Sequence, residues 1–64
     1  MTTRSTTVHG KPGYWEVFSN GHSYGIVWKV ADRRWRNHES DHDFPTKRSA
    51  AWDMVKRADA RRAS

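Results

Sequence analysis

The first half of the chain alternates between apolar and polar residues. Residues 14–19 are mostly aromatic and β-branched, and Asn20-Gly21, a pair typical of a type I′ hairpin turn, follows them at once. Residues 22–30 and 34–38 continue the alternation with a period of two. The pattern therefore predicts three strands joined by short turns.

The second half changes to a helical pattern. Residues 39–43 are acidic and polar, which indicates a loop, and Thr46 is suited to cap the free N–H groups of a helix over residues 47–62. Residues three and four apart would share the apolar face of this helix. That face is predicted to contain Ala51, Trp52, Val55 and Ala58.

These elements predict the α+β class: a three-stranded antiparallel sheet packed against one C-terminal helix. Residues 13–62 would form this single domain. Residues 1–12 are polar and rich in threonine, and Lys11-Pro12-Gly13 is typical of a break in structure, so we expect a flexible N-terminal arm.

Alternation assigns each strand residue to one side of the sheet. We expect the helix to cover a face formed by Trp15, Val17, Ile26, Trp28 and Trp35. The other face would be open and would present Tyr14, Glu16, Phe18, Val27, Lys29, Arg34 and Arg36. An open face that mixes basic groups with aromatic rings suggests a binding surface.

Composition narrows the class of protein. The 64 residues include no cysteine and four tryptophans, so a disulfide framework is excluded and aromatic rings must supply much of the core. No apolar stretch is long enough for a signal peptide or a membrane span. We therefore expect a cytoplasmic protein.

The net charge of +5 is concentrated in the second half of the chain, which contains nine basic and five acidic residues. Arginine recognises phosphate and guanine through its planar fork of donors, although a basic surface often serves only to keep a small domain in solution. We expect DNA contacts from Lys29, Arg33, Arg34, Arg36, Lys47 and Arg48.

The histidine and carboxylate cluster in residues 38–43 raises the question of a metal site or catalysis. His38 and His42 would share a face only if this segment were helical, and here it looks like a loop. The chain also lacks a glycine-rich phosphate loop and a nucleophile elbow. We expect no metal, no cofactor and no enzymatic activity.

The segment from Tyr14 to Trp52 resembles the arm-type DNA-binding domain at the N-terminus of phage tyrosine integrases. The resemblance is carried by the Trp-x-Val strand, the basic strand, and the Phe44-Pro45-Thr46-Lys47 phrase that opens the helix. It implies that a three-stranded sheet docks in the major groove of DNA. Lys29, Arg34 and Arg36 would then make the sheet contacts, and Phe44, Thr46, Ala50 and Trp52 would be structural.

The expected function is that of a small DNA-binding protein of phage or prophage type that places its open sheet face on duplex DNA. No recombinase domain follows the helix in this sequence, and the acidic loop is unusual beside a DNA surface. The alternative is a phage-encoded inhibitor or adaptor that binds a host protein through the same face.

Overall fold

A computed structural model describes residues 1–63. It consists of one antiparallel sheet and one C-terminal helix, which confirms the α+β class. The sheet has four strands rather than the predicted three, in the order β1-β2-β3-β4. The elements are β1 (Thr2–Val8), β2 (Lys11–Ser19), β3 (His22–Ala31), β4 (Arg34–Asn37) and α1 (Lys47–Ala63).

The additional strand β1 lies in the segment that was expected to be a flexible arm. Its threonines are β-branched and favour an extended backbone. His9 and Gly10 have φ values of 52° and 77°, which are the two positive angles of a type I′ turn, and they return the chain directly into β2. The predicted break at Pro12 is wrong, because this residue lies where the pairing of β1 and β2 is irregular, a position that tolerates proline.

The predicted turn between β2 and β3 is confirmed. Asn20 and Gly21 both have positive φ, at 53° and 76°, as a type I′ turn requires. The following turn ends at Arg33, whose φ is 55°, and leads into the short strand β4. All three hairpins are therefore closed by residues in the left-handed region.

A β-bulge near the start of β3 changes which residues face the helix. Val17 pairs with Gly25 and Phe18 pairs with Ser23, so Tyr24 is the extra residue. Tyr24 and Val27 are three positions apart, yet both pack against the helix side of the sheet. Ile26 and Trp28 were predicted to lie under the helix, and this was wrong because the bulge turns them to the open face.

The buried core is small and consists mainly of compact side chains. Val17 and Val27 from the sheet are completely buried, and Trp15 and Trp35 pack at their margins. The positions of Val17, Trp15 and Trp35 are as predicted. Val27 was predicted on the open face, and this was wrong because the bulge at Tyr24 turns it to the helix side. The helix contributes Ala50, Ala51, Met54 and Val55.

Trp52 was predicted to lie in the core but is 43% exposed. The helix packs mainly across β3 and β4, so its buried stripe is rotated by about one position from the predicted one and includes Met54 instead. Thr46 caps the helix as predicted, because its Oγ1 accepts the Ser49 N–H at 3.0 Å.

Asn37 is the one fully buried polar side chain among residues 1–62. Its Nδ2 donates to the carbonyl oxygen of Ala50 at 2.7 Å and to Asp53 at 3.2 Å, and its Oδ1 accepts the Glu39 N–H at 3.0 Å. These bonds attach β4 and the loop after it to the first turns of the helix.

Candidate nucleic-acid interface

One row of paired residues crosses the middle of the open sheet face. Antiparallel partners point to the same side of a sheet, so the pairs Thr6 with Tyr14, Tyr14 with Trp28, and Trp28 with Arg36 form a continuous line. The ring centroids of Tyr14 and Trp28 are 5.9 Å apart, with the planes tilted by 47°. Two adjacent aromatic rings therefore occupy the centre of this face, with an arginine at its β4 side.

A second row, nearer the turn between β2 and β3, carries a charge at the other margin. Arg4 pairs with Glu16 across β1 and β2, and its guanidinium lies 5.5 Å from the centroid of the Phe18 ring. Ser23 donates to the Glu16 carboxylate at 2.7 Å. The open face thus has an aromatic centre, basic groups on both margins, and one carboxylate between them.

The arginines of β4 are held by an acidic residue. Arg36 Nε donates to Asp43 Oδ1 at 2.6 Å, and Arg34 lies 4.0 Å from the same carboxylate. The hydrogen bond from Arg36 is the main reason that the pKa of Asp43 lies below its usual value. Any anionic ligand must therefore compete with Asp43 for these arginines.

The position of Asp43 follows from a short extension of the sheet. Phe44 and Trp35 exchange two backbone hydrogen bonds of 2.7 Å, which makes Phe44 a bridge partner along the outer edge of β4. The Phe44 side chain packs toward the core, so its neighbour Asp43 turns to the opposite, open face.

The six basic residues predicted to contact DNA do not form a single patch. Arg34 and Arg36 lie together on the open face, whereas Lys29 pairs with Trp35 and points to the helix side because of the bulge in β3. Arg33 lies in the turn before β4.

The two basic residues at the helix start lie on the covered side of the sheet. Lys47 Nζ lies over the Trp15 ring, 3.9 Å from its centroid. Arg48 lines a space of about 240 Å³ together with Met1, Thr3, Lys47 and Trp52. We call this space the Trp52 trough, and it lies between the helix and β1.

Three of the larger side chains on the open face were not predicted to lie there. Ile26 and Trp28 were assigned to the core, and Arg4 was assigned to the arm. Gly25 is the signal that would have corrected the first assignment, because a glycine inside a strand often marks a bulge. The alternation of threonine with other residues before His9 is a weaker signal for the second.

Two residues of the histidine and carboxylate cluster, His38 and Glu39, attach the loop after β4 to the sheet and the helix. Glu39 accepts two hydrogen bonds from the Arg61 guanidinium, at 2.6 and 2.9 Å, and these lower its pKa. His38 Nδ1 accepts the Ile26 N–H at 3.4 Å. Across residues 1–63, no group of three or more His, Asp or Glu side chains is arranged to bind a metal ion.

Comparisons with protein-family models, with curated proteins and with solved structures found no match to this chain. The likeness to integrase arm domains therefore stays a prediction. In the part of the chain that the structure describes, the helix is too short and too polar to cross a membrane.

Proposed function

We propose that this protein binds nucleic acid on its open sheet face, with unpaired bases stacked on Trp28 and Tyr14 and phosphates held by the arginines at the margins. The observation that carries the proposal is the row in which the Tyr14 and Trp28 rings stand side by side and end at Arg36. Aromatic platforms of this kind accept bases of any sequence, because every base has a π face.

The fourth strand favours a single strand over the duplex expected from the sequence. Four strands spaced about 4.8 Å apart span roughly 14 Å between the outer backbones, whereas the major groove of B-DNA is about 12 Å wide. The centre of the face also presents rings and Glu16 rather than basic groups. Duplex docking is the competing arrangement, and the binding experiment below separates the two.

A protein partner is the second candidate, and the pair between Arg36 and Asp43 favours it. This pair leaves less free positive charge on the open face than the sequence alone suggests. An aromatic patch with a satisfied polar rim resembles the anatomy of protein interfaces. Such a partner would bind with little dependence on salt.

A fluorescence-anisotropy titration tests the proposal. The probes are a labelled single-stranded oligonucleotide and the duplex of the same sequence, at about 50 and about 200 mM salt. We expect tighter binding to the single strand, and three phosphate contacts would weaken it about 10- to 20-fold over that range of salt. Absence of binding at the lower salt would contradict the proposal, and tighter binding to the duplex would contradict the stacking arrangement.

Two tryptophans provide a matched pair of variants. Trp28 lies in the aromatic row, whereas Trp52 is more exposed but lies on the helix side. Trp28→Ala should weaken single-strand binding by about 1–3 kcal/mol, the usual contribution of one stacked base. Trp52→Ala should leave binding unchanged. If Trp52→Ala weakened binding and Trp28→Ala did not, the binding site would instead be the Trp52 trough.

Charge variants test whether the arginines of β4 contribute to binding. Arg36→Gln should weaken binding, whereas Lys56→Gln, which removes one exposed charge from the helix, should have a smaller effect. Asp43→Asn should strengthen binding because it releases Arg34 and Arg36 for phosphate. Weaker binding by Asp43→Asn would contradict the role assigned to these arginines.

A further inference from the structure

Strand β1 forms an unpaired edge of the sheet. Its inner side pairs with β2, and no strand within residues 1–63 lies on its outer side. The opposite edge differs, because Phe44 covers β4 at Trp35 with two backbone hydrogen bonds. One edge is thus partly closed, and the other presents free backbone donors and acceptors along its length.

The composition of β1 does little to prevent pairing with another strand. The sequence Thr-Thr-Arg-Ser-Thr-Thr-Val contains five β-branched residues, no proline and a single charge. The extra residue of the irregularity beside β1 belongs to β2, so β1 itself is continuous. Arg4, the one charge, is drawn over the Phe18 ring on the open face.

The surroundings of this edge are also exposed. Met1 and Trp52, two of the three large apolar side chains that are exposed among the described residues, lie beside β1 on the helix side. The helix does not cover β1, since it packs mainly on β3 and β4. Apolar surface therefore accompanies the free backbone groups.

We propose that a second copy of this chain pairs with β1 in antiparallel fashion. The two-fold axis would pass between the two Ser5 residues, which lie opposite each other. With the open faces of both copies on the same side, this register pairs all seven residues of β1. It places Arg4 opposite Thr6 and Thr3 opposite Thr7. An axis at Arg4 would set two like charges opposite each other, which destabilises a sheet, and would pair fewer residues.

This arrangement closes on itself and does not depend on the proposed nucleic-acid function. A two-fold contact uses the same edge of both copies, and Phe44 obstructs continuation at β4, so assembly ends at a dimer. The dimer would have a continuous eight-stranded sheet in which the two open faces adjoin along the β1 strands.

Sedimentation equilibrium from micromolar to submillimolar concentration tests the association. We expect the mass to rise from 7.5 kDa to twice that value. Ser5→Lys places like charges on the axis and should weaken association by up to about fivefold. Ala60→Lys adds the same charge on the exposed helix surface and should have little effect. A chain that stays monomeric throughout, or equal effects of the two variants, would overturn the proposal.

Cysteine cross-linking tests the register, because the natural chain contains no cysteine. Ser5→Cys should form a covalent dimer under mild oxidation much faster than Ala60→Cys, which reports random collision. Thr3→Cys and Thr7→Cys should each cross-link slowly alone and rapidly when mixed. Equal rates for Ser5→Cys and Ala60→Cys, or fastest self-coupling of Thr3→Cys, would overturn pairing about Ser5.

Discussion

The two faces of the sheet are built from different kinds of side chain. The helix side has Val17 and Val27 at its centre, completely buried against Ala50 and Ala51. The open side has rings at its centre, with Trp28 beside Tyr14. Small and β-branched residues let the helix approach the sheet closely, whereas the aromatic row forms a half-exposed surface. Tryptophan content alone is thus a poor guide to where a small core lies.

The faces also differ in how their polar groups are satisfied. On the helix side, Asn37 makes three hydrogen bonds away from water. On the open side, Ser23 and Arg36 make their contacts at exposed positions. Burial removes the competition with water, so equivalent changes should cost stability on the covered face and affect mainly binding on the open one.

The largest expected effect is a cavity under the helix. Met54→Ala removes a completely buried side chain and should lower the free energy of unfolding by about 2–5 kcal/mol. Trp28→Ala, on the open face, should cost clearly less although it removes more atoms. Urea denaturation of both variants measures the difference, and an equal loss would mean that the open face is part of the core.

The next effect concerns the bulge that determines which residues face the helix. Gly25 has a φ of 133°, and a Cβ atom there would overlap the His38 ring. Gly25→Ala should therefore cost about 1–3 kcal/mol of stability. Adding His38→Ala should restore only the steric part of this loss. A neutral Gly25→Ala would show that β3 does not need the bulge.

A matched pair of polar variants compares the two faces directly. Asn37→Ala removes the buried hydrogen bond to the Ala50 carbonyl and leaves the Glu39 N–H without its side-chain acceptor, so it should cost about 1–3 kcal/mol. Ser23→Ala removes an exposed hydrogen bond to Glu16 and should change stability by less than about 0.5 kcal/mol. Thermal melts of both variants test this order, and similar losses would contradict it.

The smallest effect is the response of stability to acid. Arg36 and Arg61 lower the pKa values of Asp43 and Glu39, so the unfolded chain binds protons more readily than the folded one. Their contribution is complete above about pH 5 and is lost as the pH falls through about 4 and below. The melting temperature of an Asp43→Asn, Glu39→Gln double variant should decline less with acid than that of the natural chain. If the melting temperatures of the two proteins fell equally with acid, groups other than Asp43 and Glu39 would be responsible for the acid response.

The sequence predicted the fold class, the Asn20-Gly21 turn, the Thr46 cap and the burial of Val17, because each depends on local chemistry. It did not predict the side on which Trp28 lies. That orientation depends on one extra residue at Tyr24, which periodicity cannot detect. The prediction that Trp52 is buried was wrong for a related reason, since the position of the helix on β3 and β4 depends on the completed sheet.

The candidate site was predictable only in part. The positions of Arg34 and Arg36 on the open face follow from strand alternation alone. Their engagement by Asp43 follows from the bridge between Phe44 and Trp35, a long-range contact that no local motif indicates. Because residues 1–12 were predicted to form a flexible arm, neither the edge strand β1 nor the position of Arg4 on the open face was predicted.

The four tryptophan indole N–H signals in a ¹⁵N-correlated NMR titration give the most direct test of the central claim. On addition of a single-stranded oligonucleotide, the Trp28 signal should shift and saturate, whereas those of Trp15 and Trp35, on the helix side, should stay in place. The Trp52 signal should also stay in place. A shift confined to Trp52, or no shift at Trp28 despite measurable binding, would contradict the assignment of the open sheet face as the interface.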